Sequence, residues 1–110
     1  MNWNKLEDIS CIDKINNLSK EHKVLLFKHS TRCSISSSAL NRLERNWKDE
    51  DSEKLSPYYL DLLKHRNVSN AIAELYAVEH QSPQVLVIKD GKCIYSETHY
   101  GISYEDLMSL

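Results

Sequence analysis

The 110 residues predict an α/β domain in which a mixed sheet of about four strands is flanked by helices on both faces. Three observations carry this. Two short continuous apolar runs, residues 24–27 and 85–88, suit strands buried on both faces. Between them lie two stretches whose apolar residues recur at helical period. Asp90-Gly91 then separates residues 85–88 from the strand-like residues 93–98, a sequence that favours a two-residue primed turn and hence an antiparallel hairpin.

The elements follow in order. Residues 9–18 read as a helix with Ile9, Ile15 and Leu18 in one stripe and Asp8 or Ser10 as cap. Residues 24–29 read as a central strand. Residues 34–48 read as a helix, because Ile35, Ala39, Leu40, Leu43 and Trp47 fall on one side of a wheel. The charge run 49–53 reads as a solvated loop. Residues 58–63, just after Pro57, read as a second strand. Residues 67–78 form a helix on Val68, Ile72, Leu75 and Tyr76, with Asn67 or Ser69 as cap. The hairpin comes next, and Ser103 caps a last helix through Leu110. The order α-β-α-β-α-β-β-α contains no repeat and no linker, and residues 1–110 are expected to be one domain.

Composition narrows the function. With 41% hydrophobic and 27% charged residues the chain holds enough apolar matter for one core, so it is not expected to be disordered. A net charge of -2 lacks the basic footprint of a nucleic-acid or anionic-membrane binder. No apolar run is long enough to span a bilayer, and residues 1–13 lack the apolar segment of a signal peptide. The expected compartment is the reducing cytoplasm, with neither nucleic acid nor membrane as partner.

In that setting three widely spaced cysteines, Cys11, Cys33 and Cys93, do not make a disulfide framework, and no C-x-x-C is present. The five histidines include no pair at ligand spacing on one element, so no protein metal site is expected. Cys11 and Cys93 read as packing residues. Trp3, Trp47, Tyr58 and Tyr59 read likewise.

Cys33 is different by position. It stands where a buried strand ends and a helix begins. The first helical N–H groups have no intrahelical partner, and the helix dipole puts partial positive charge there. Both favour a thiolate over a thiol. Arg32 adds an adjacent cation, and His29 at the strand end is expected to pack or to hydrogen-bond locally. Three residues after Cys33, where a dithiol oxidoreductase carries its resolving cysteine, stands Ser36. A hydroxyl there can donate to the thiolate but cannot close an internal disulfide, so the chemistry expected is a mixed disulfide with an external thiol. Thr31 and Ser36 equally suit plain capping roles. Ser82-Pro83 precedes the third strand, where thioredoxin-like folds carry a cis-proline facing the reactive cysteine.

The segment from Lys28 to Ser36, with Thr31, Arg32, Cys33, Ser34, Ile35 and Ser36, resembles the monothiol bacilliredoxins of the YtxJ type, whose signature at this junction is Thr-Cys-Pro-Ile-Ser. Cys33, Ile35 and Ser36 match in register. Arg32 stands where Thr is usual and Ser34 where Pro is usual, which bears on the reactivity of the thiolate rather than on which residue is the nucleophile. The resemblance implies a thioredoxin-like fold and a thiol-disulfide oxidoreductase. It further implies that Cys33 removes bacillithiol from S-bacillithiolated proteins, with Thr31, Arg32, Ser34, Ser36 and Pro83 around it. Arg32, Ser82 and Pro83 would contact the substrate, Arg32 through a bacillithiol carboxylate. No bound cofactor is implied; bacillithiol serves as thiol co-substrate. Two other readings of a lone cysteine on this fold stay open: an iron–sulfur carrier that ligates a cluster at a dimer interface, and a non-catalytic adaptor.

Overall fold

A computed structural model describes residues 1–110. The strands are β1 (Asn4–Lys5), β2 (Lys23–His29), β3 (Leu55–Asp61), β4 (Gln84–Lys89) and β5 (Lys92–Thr98). The helices are α1 (Ser10–Leu18), α2 (Ser34–Asn46), α3 (Asp51–Lys54), α4 (Arg66–Tyr76) and α5 (Tyr104–Met108), with a 3-10 turn at His99–Gly101. All five strands form one sheet in the order β1-β3-β2-β4-β5.

The centre of the sheet is β2, as the apolar run requires. It pairs in parallel with β3 and antiparallel with β4, and Val24, Leu25, Leu26 and Phe27 are all buried. Successive side chains point to opposite faces. Val24 and Leu26 therefore join a cluster with Ile12 and Ile15 of α1 and Val68, Ile72 and Tyr76 of α4. Leu25 and Phe27 join Ala39 and Leu43 of α2, Trp47 and Leu107 of α5 on the other face. The result is a three-layer α/β sandwich with its core divided by the sheet. No helix is long and apolar enough to cross a membrane.

The hairpin forms through Asp90 at φ 52° and Gly91 at φ 73°, the two left-handed residues a type I′ turn needs. Ser103 caps α5, its hydroxyl accepting from the Asp106 amide.

Ile9 and Leu75, read as part of the helix stripes, are exposed, and five further details differ from the sequence reading. The sheet has five strands rather than about four, because two exposed residues, Asn4 and Lys5, pair with Tyr58 and Tyr59 of β3. β3 begins at Leu55 and contains Pro57 instead of following it. The Asn4 amide donates to the Pro57 carbonyl from the β1 side. In a strand a residue's N and O point the same way, so the missing Pro57 N–H faces a place where β1 has not begun to pair. The charge run is not simply solvated. Asp51 opens the short α3 and is buried, with its carboxylate accepting from Lys48 N–H at 2.8 Å and Tyr104 O–H at 2.6 Å. α4 starts at Arg66 with His65 at the cap position, and Ser69 lies inside the helix. Finally, α2 ends at Asn46, where Trp47 turns to extended backbone.

Candidate active site

Strand direction sets the site. β2 and β3 run in parallel and end together, with the His29 carbonyl accepting from Leu62 N–H at 3.0 Å. β4 runs the other way and begins at the same end. Its last pair with β2 is Gln84 opposite Lys28, so one step of register places Pro83 opposite His29. The Ser82–Pro83 peptide is cis. Cys33 follows β2 by four residues, so the cysteine and the proline share one end of the sheet.

Cys33 is the N-cap residue of α2, in extended backbone at φ -109° and ψ 119°. Its N–H donates to the Ser30 carbonyl and its own carbonyl accepts from Ser37 N–H. The first turn of α2 contains no acidic residue. No carboxylate on that turn therefore offsets the partial positive charge of the helix start. Cys33 is half-buried, while Thr31, Arg32 and Ser34 around it are exposed. Arg32 has no ion-pair partner, since the one salt bridge in the chain joins His65 to Glu7.

Ser36 is placed differently from the expectation that it donates to the thiolate. It is fully buried. Its Oγ accepts from Ser30 N–H at 3.1 Å and lies 2.6 Å from His29 Nδ1. No hydrogen bond links it to Cys33. With Nδ1 as the acceptor tautomer, the single hydroxyl proton is committed to His29. Ser36 thus fastens the first turn of α2 to the end of β2, holding the loop 30–33 from beneath. Burial lowers the His29 pKa; Asp61 and Glu44 work in the other direction without cancelling that effect. His29 packs between the rings of Phe27 and Tyr59. The local hydrogen bond read for His29 is present, and its partner is Ser36.

Ser82 is half-buried, and its Oγ is buried without a partner beside Pro83. His99 N–H donates to the Pro83 carbonyl at 3.1 Å, tying the 3-10 turn to the same end.

The family profile of the monothiol bacilliredoxin BrxC matches residues 4–107. The chain belongs to that family. Three solved structures support the fold. An oxidoreductase with a thioredoxin fold superposes with a TM-score of 0.82 at 28% identity, covering 96% of this chain and 89% of its own. The thioredoxin of Malassezia sympodialis gives 0.76 at 12% identity, covering 98% and 86%. That of Fasciola hepatica gives 0.71 at 17% identity, covering 96% and 93%. The latter two speak to fold alone.

This bacilliredoxin is a thiol-disulfide oxidoreductase on a thioredoxin fold. Its three cysteines are free. Cys11 and Cys93 both pack against the cluster on the α1/α4 face, the opposite face from α2. Burial raises the Cys93 pKa, and its thiol donates to the Tyr95 carbonyl. Cys93 pairs with Ile88, at the far end of β4 from Pro83. Five residues of strand separate those ends by about 16 Å, well beyond the roughly 7 Å Cα limit of a disulfide.

Sequence reasoning missed a second polar group at this end of the sheet. Lys28, Ser69, His80 and Gln84 meet behind β2 on the α4 side. The only trace in the sequence was a lysine inside an otherwise apolar strand.

Proposed function

We propose that this bacilliredoxin removes bacillithiol from S-bacillithiolated proteins, with Cys33 as nucleophile. The observation that carries the reading is the family match over residues 4–107, taken with Cys33 as the N-cap of α2 and serine at the position three residues on.

Each step balances. The Cys33 thiolate attacks the bacillithiol sulfur of the mixed disulfide. The Cys33–bacillithiol S–S bond forms, the client S–S bond breaks, and the client leaves as thiolate. A second low-molecular-weight thiol, as thiolate, then attacks the bacillithiol sulfur on Cys33. It leaves as a small-molecule disulfide and frees the Cys33 thiolate. The N–H groups at the start of α2, next to Cys33 in the chain, have no intrahelical partner. Exposed Arg32, without an ion pair, offers its guanidinium to a carboxylate of the bacillithiol malate. The backbone at Ser82 and Pro83, at the same end of the sheet, offers itself to the substrate from the other side, while the Ser82 Oγ is itself buried. The protein holds no cofactor in this reading: bacillithiol is substrate, the partners are bacillithiolated proteins and the free thiol, and the chemistry suits a reducing cytoplasm.

Intact mass tests the reading. Wild type mixed with a bacillithiolated client is expected to gain one bacillithiol while the client loses it, and Cys33→Ser to gain none. Transfer that persists in Cys33→Ser, or a wild type that leaves the client modified, overturns it.

A further inference from the structure

The least expected side chain in this fold is Lys28. It is 1% exposed, and lysine is almost never buried to that degree without a counter-charge. No carboxylate pairs with it, because the one ion pair is His65 with Glu7. Its Nζ instead donates to the Ser69 carbonyl of α4 at 3.3 Å and to His80 Nδ1 at 3.4 Å. The same Nδ1 lies 3.2 Å from Ser69 Oγ. Gln84, opposite Lys28 across the β2–β4 ladder, donates through Nε2 to the Glu79 carbonyl at 3.0 Å. Its Oε1 is buried without a partner.

Glu79 and His80 belong to the segment 77–83, which leads from α4 into Ser82 and Pro83. The bonds to Lys28, Ser69 and Gln84 are the only side-chain hydrogen bonds that hold this segment to the body of the fold. A buried cation with no anion is a costly way to hold a loop unless the position of the loop matters.

We infer that Lys28 and His80 form a latch that sets the Ser82–Pro83 segment for the incoming mixed disulfide, as positioning residues that act through the loop and not on the reacting sulfurs. This rests on the reading above, in which that segment receives the substrate.

The latch has an acid side and no alkaline one. It needs an unprotonated Nδ1 on His80. A protonated ring cannot accept from Lys28, and it sets a second cation 3.4 Å from the ammonium. Lysine, in contrast, donates in either charge state, since the neutral amine keeps two hydrogens for its two acceptors. The charged groups facing the ring are Lys28 from β2 and Arg66 from α4, and both, with burial, push the His80 pKa down. From β4 the residue nearest in register to Lys28 is neutral Gln84. Glu79, its neighbour in the loop, is exposed and makes no ion pair with it. Burial lowers the Lys28 pKa to about 8, so Lys28 loses its proton in a range where the latch stays closed.

The test compares wild type, His80→Ala and His80→Asn from pH 5.5 to 8.5. KM and kcat are measured on an S-bacillithiolated protein, and Cys33 is alkylated in parallel with iodoacetamide. His80 is exposed, so neither variant removes core. At pH 7.5, His80→Ala is expected to raise KM about tenfold, close to the lower end for one hydrogen bond to a charged group, with alkylation within about twofold of wild type. The asparagine oxygen accepts where Nδ1 does and does not titrate. His80→Asn should therefore keep the wild-type KM at pH 7.5 and lose the rise in KM that wild type shows on acidification. A wild-type KM in His80→Ala, an acid rise that persists in His80→Asn, or alkylation that falls in step with KM each overturns the proposal. A wild type that leaves the client modified refutes the underlying reading, and this one with it, before any variant is compared.

Discussion

Replacing Ser36 by alanine tests whether the hydroxyl under the Cys33 loop is structural. The substitution removes one oxygen and strands two groups. His29 Nδ1 loses a partner at 2.6 Å and Ser30 N–H loses one at 3.1 Å. His29 is buried and Ser30 half-buried, so water reaches the second site more readily than the first. A buried polar group left unpaired costs about 1–3 kcal/mol. Taking the middle of that range for His29 and the lower end for Ser30 gives a loss of about 3 kcal/mol. The better helix propensity of alanine at this α2 position returns only about 0.5 kcal/mol. The net, about 2.5 kcal/mol, is a large share of the roughly 5–15 kcal/mol that holds a domain of this size together. Urea unfolding at pH 7.5 reads it directly. With a slope of about 1.2 kcal/mol per molar, the midpoint should fall by about 2 M. A fall below about 0.5 M with an unchanged slope would show that neither group depends on Ser36. The description of this serine as the fastening between β2 and α2 would then be wrong.

Two further outcomes follow from other parts of the molecule. Arg32→Ala, at an exposed and unpaired guanidinium, is expected to slow transfer from a bacillithiolated protein by about 3- to 10-fold and to flatten its salt dependence. An unchanged rate would remove Arg32 from substrate binding. Asp51→Asn is expected to cost about 1 kcal/mol at pH 7 by weakening the bonds from Tyr104 and Lys48. Burial works to raise the Asp51 pKa, but those bonds together with Lys48 and Lys54 hold it below 3.8. Its stabilisation is therefore complete above about 3.8 and lost as pH falls through the depressed value. The gap between the two proteins in thermal melts should narrow as pH falls below 3.8, and a gap that does not narrow at all on acidification would mean that the charge on Asp51 is irrelevant.

How much of this was legible in the sequence depends on how local each signal is. The β2 run, the Asp90-Gly91 turn and the α2 stripe are each encoded over a short stretch, and all three appear, with Trp47 at the end of the stripe packing from just beyond the helix. The placement of Cys33 at a strand-to-helix junction follows from the first and third. β1 was invisible because two exposed polar residues, Asn4 and Lys5, have no periodicity; the edge of β3 makes them a strand. Asp51 looked like one charge among several because Tyr104, which buries it, lies 53 residues away. The same reason hid the group behind β2. Lys28 and His80 are 52 residues apart, and neither residue alone announces the other. Ser36 was recognised as important for its position, but the direction of its hydroxyl depends on His29, which only the folded junction brings within reach.

The three thiols of this chain are kept apart by architecture: two pack on one face of the sheet, while the third caps a helix on the other. If Cys33 takes the adduct as proposed, the molecule has no neighbouring sulfur with which to discharge it. The loaded form persists until a second molecule collides with it, and its lifetime shortens in proportion to the concentration of free thiol outside. A protein working by that route would report on its surroundings as it works. Under the proposed function, the ratio of loaded to free protein at steady state would track how fast modified clients arrive against how much reduced small thiol is left to clear them.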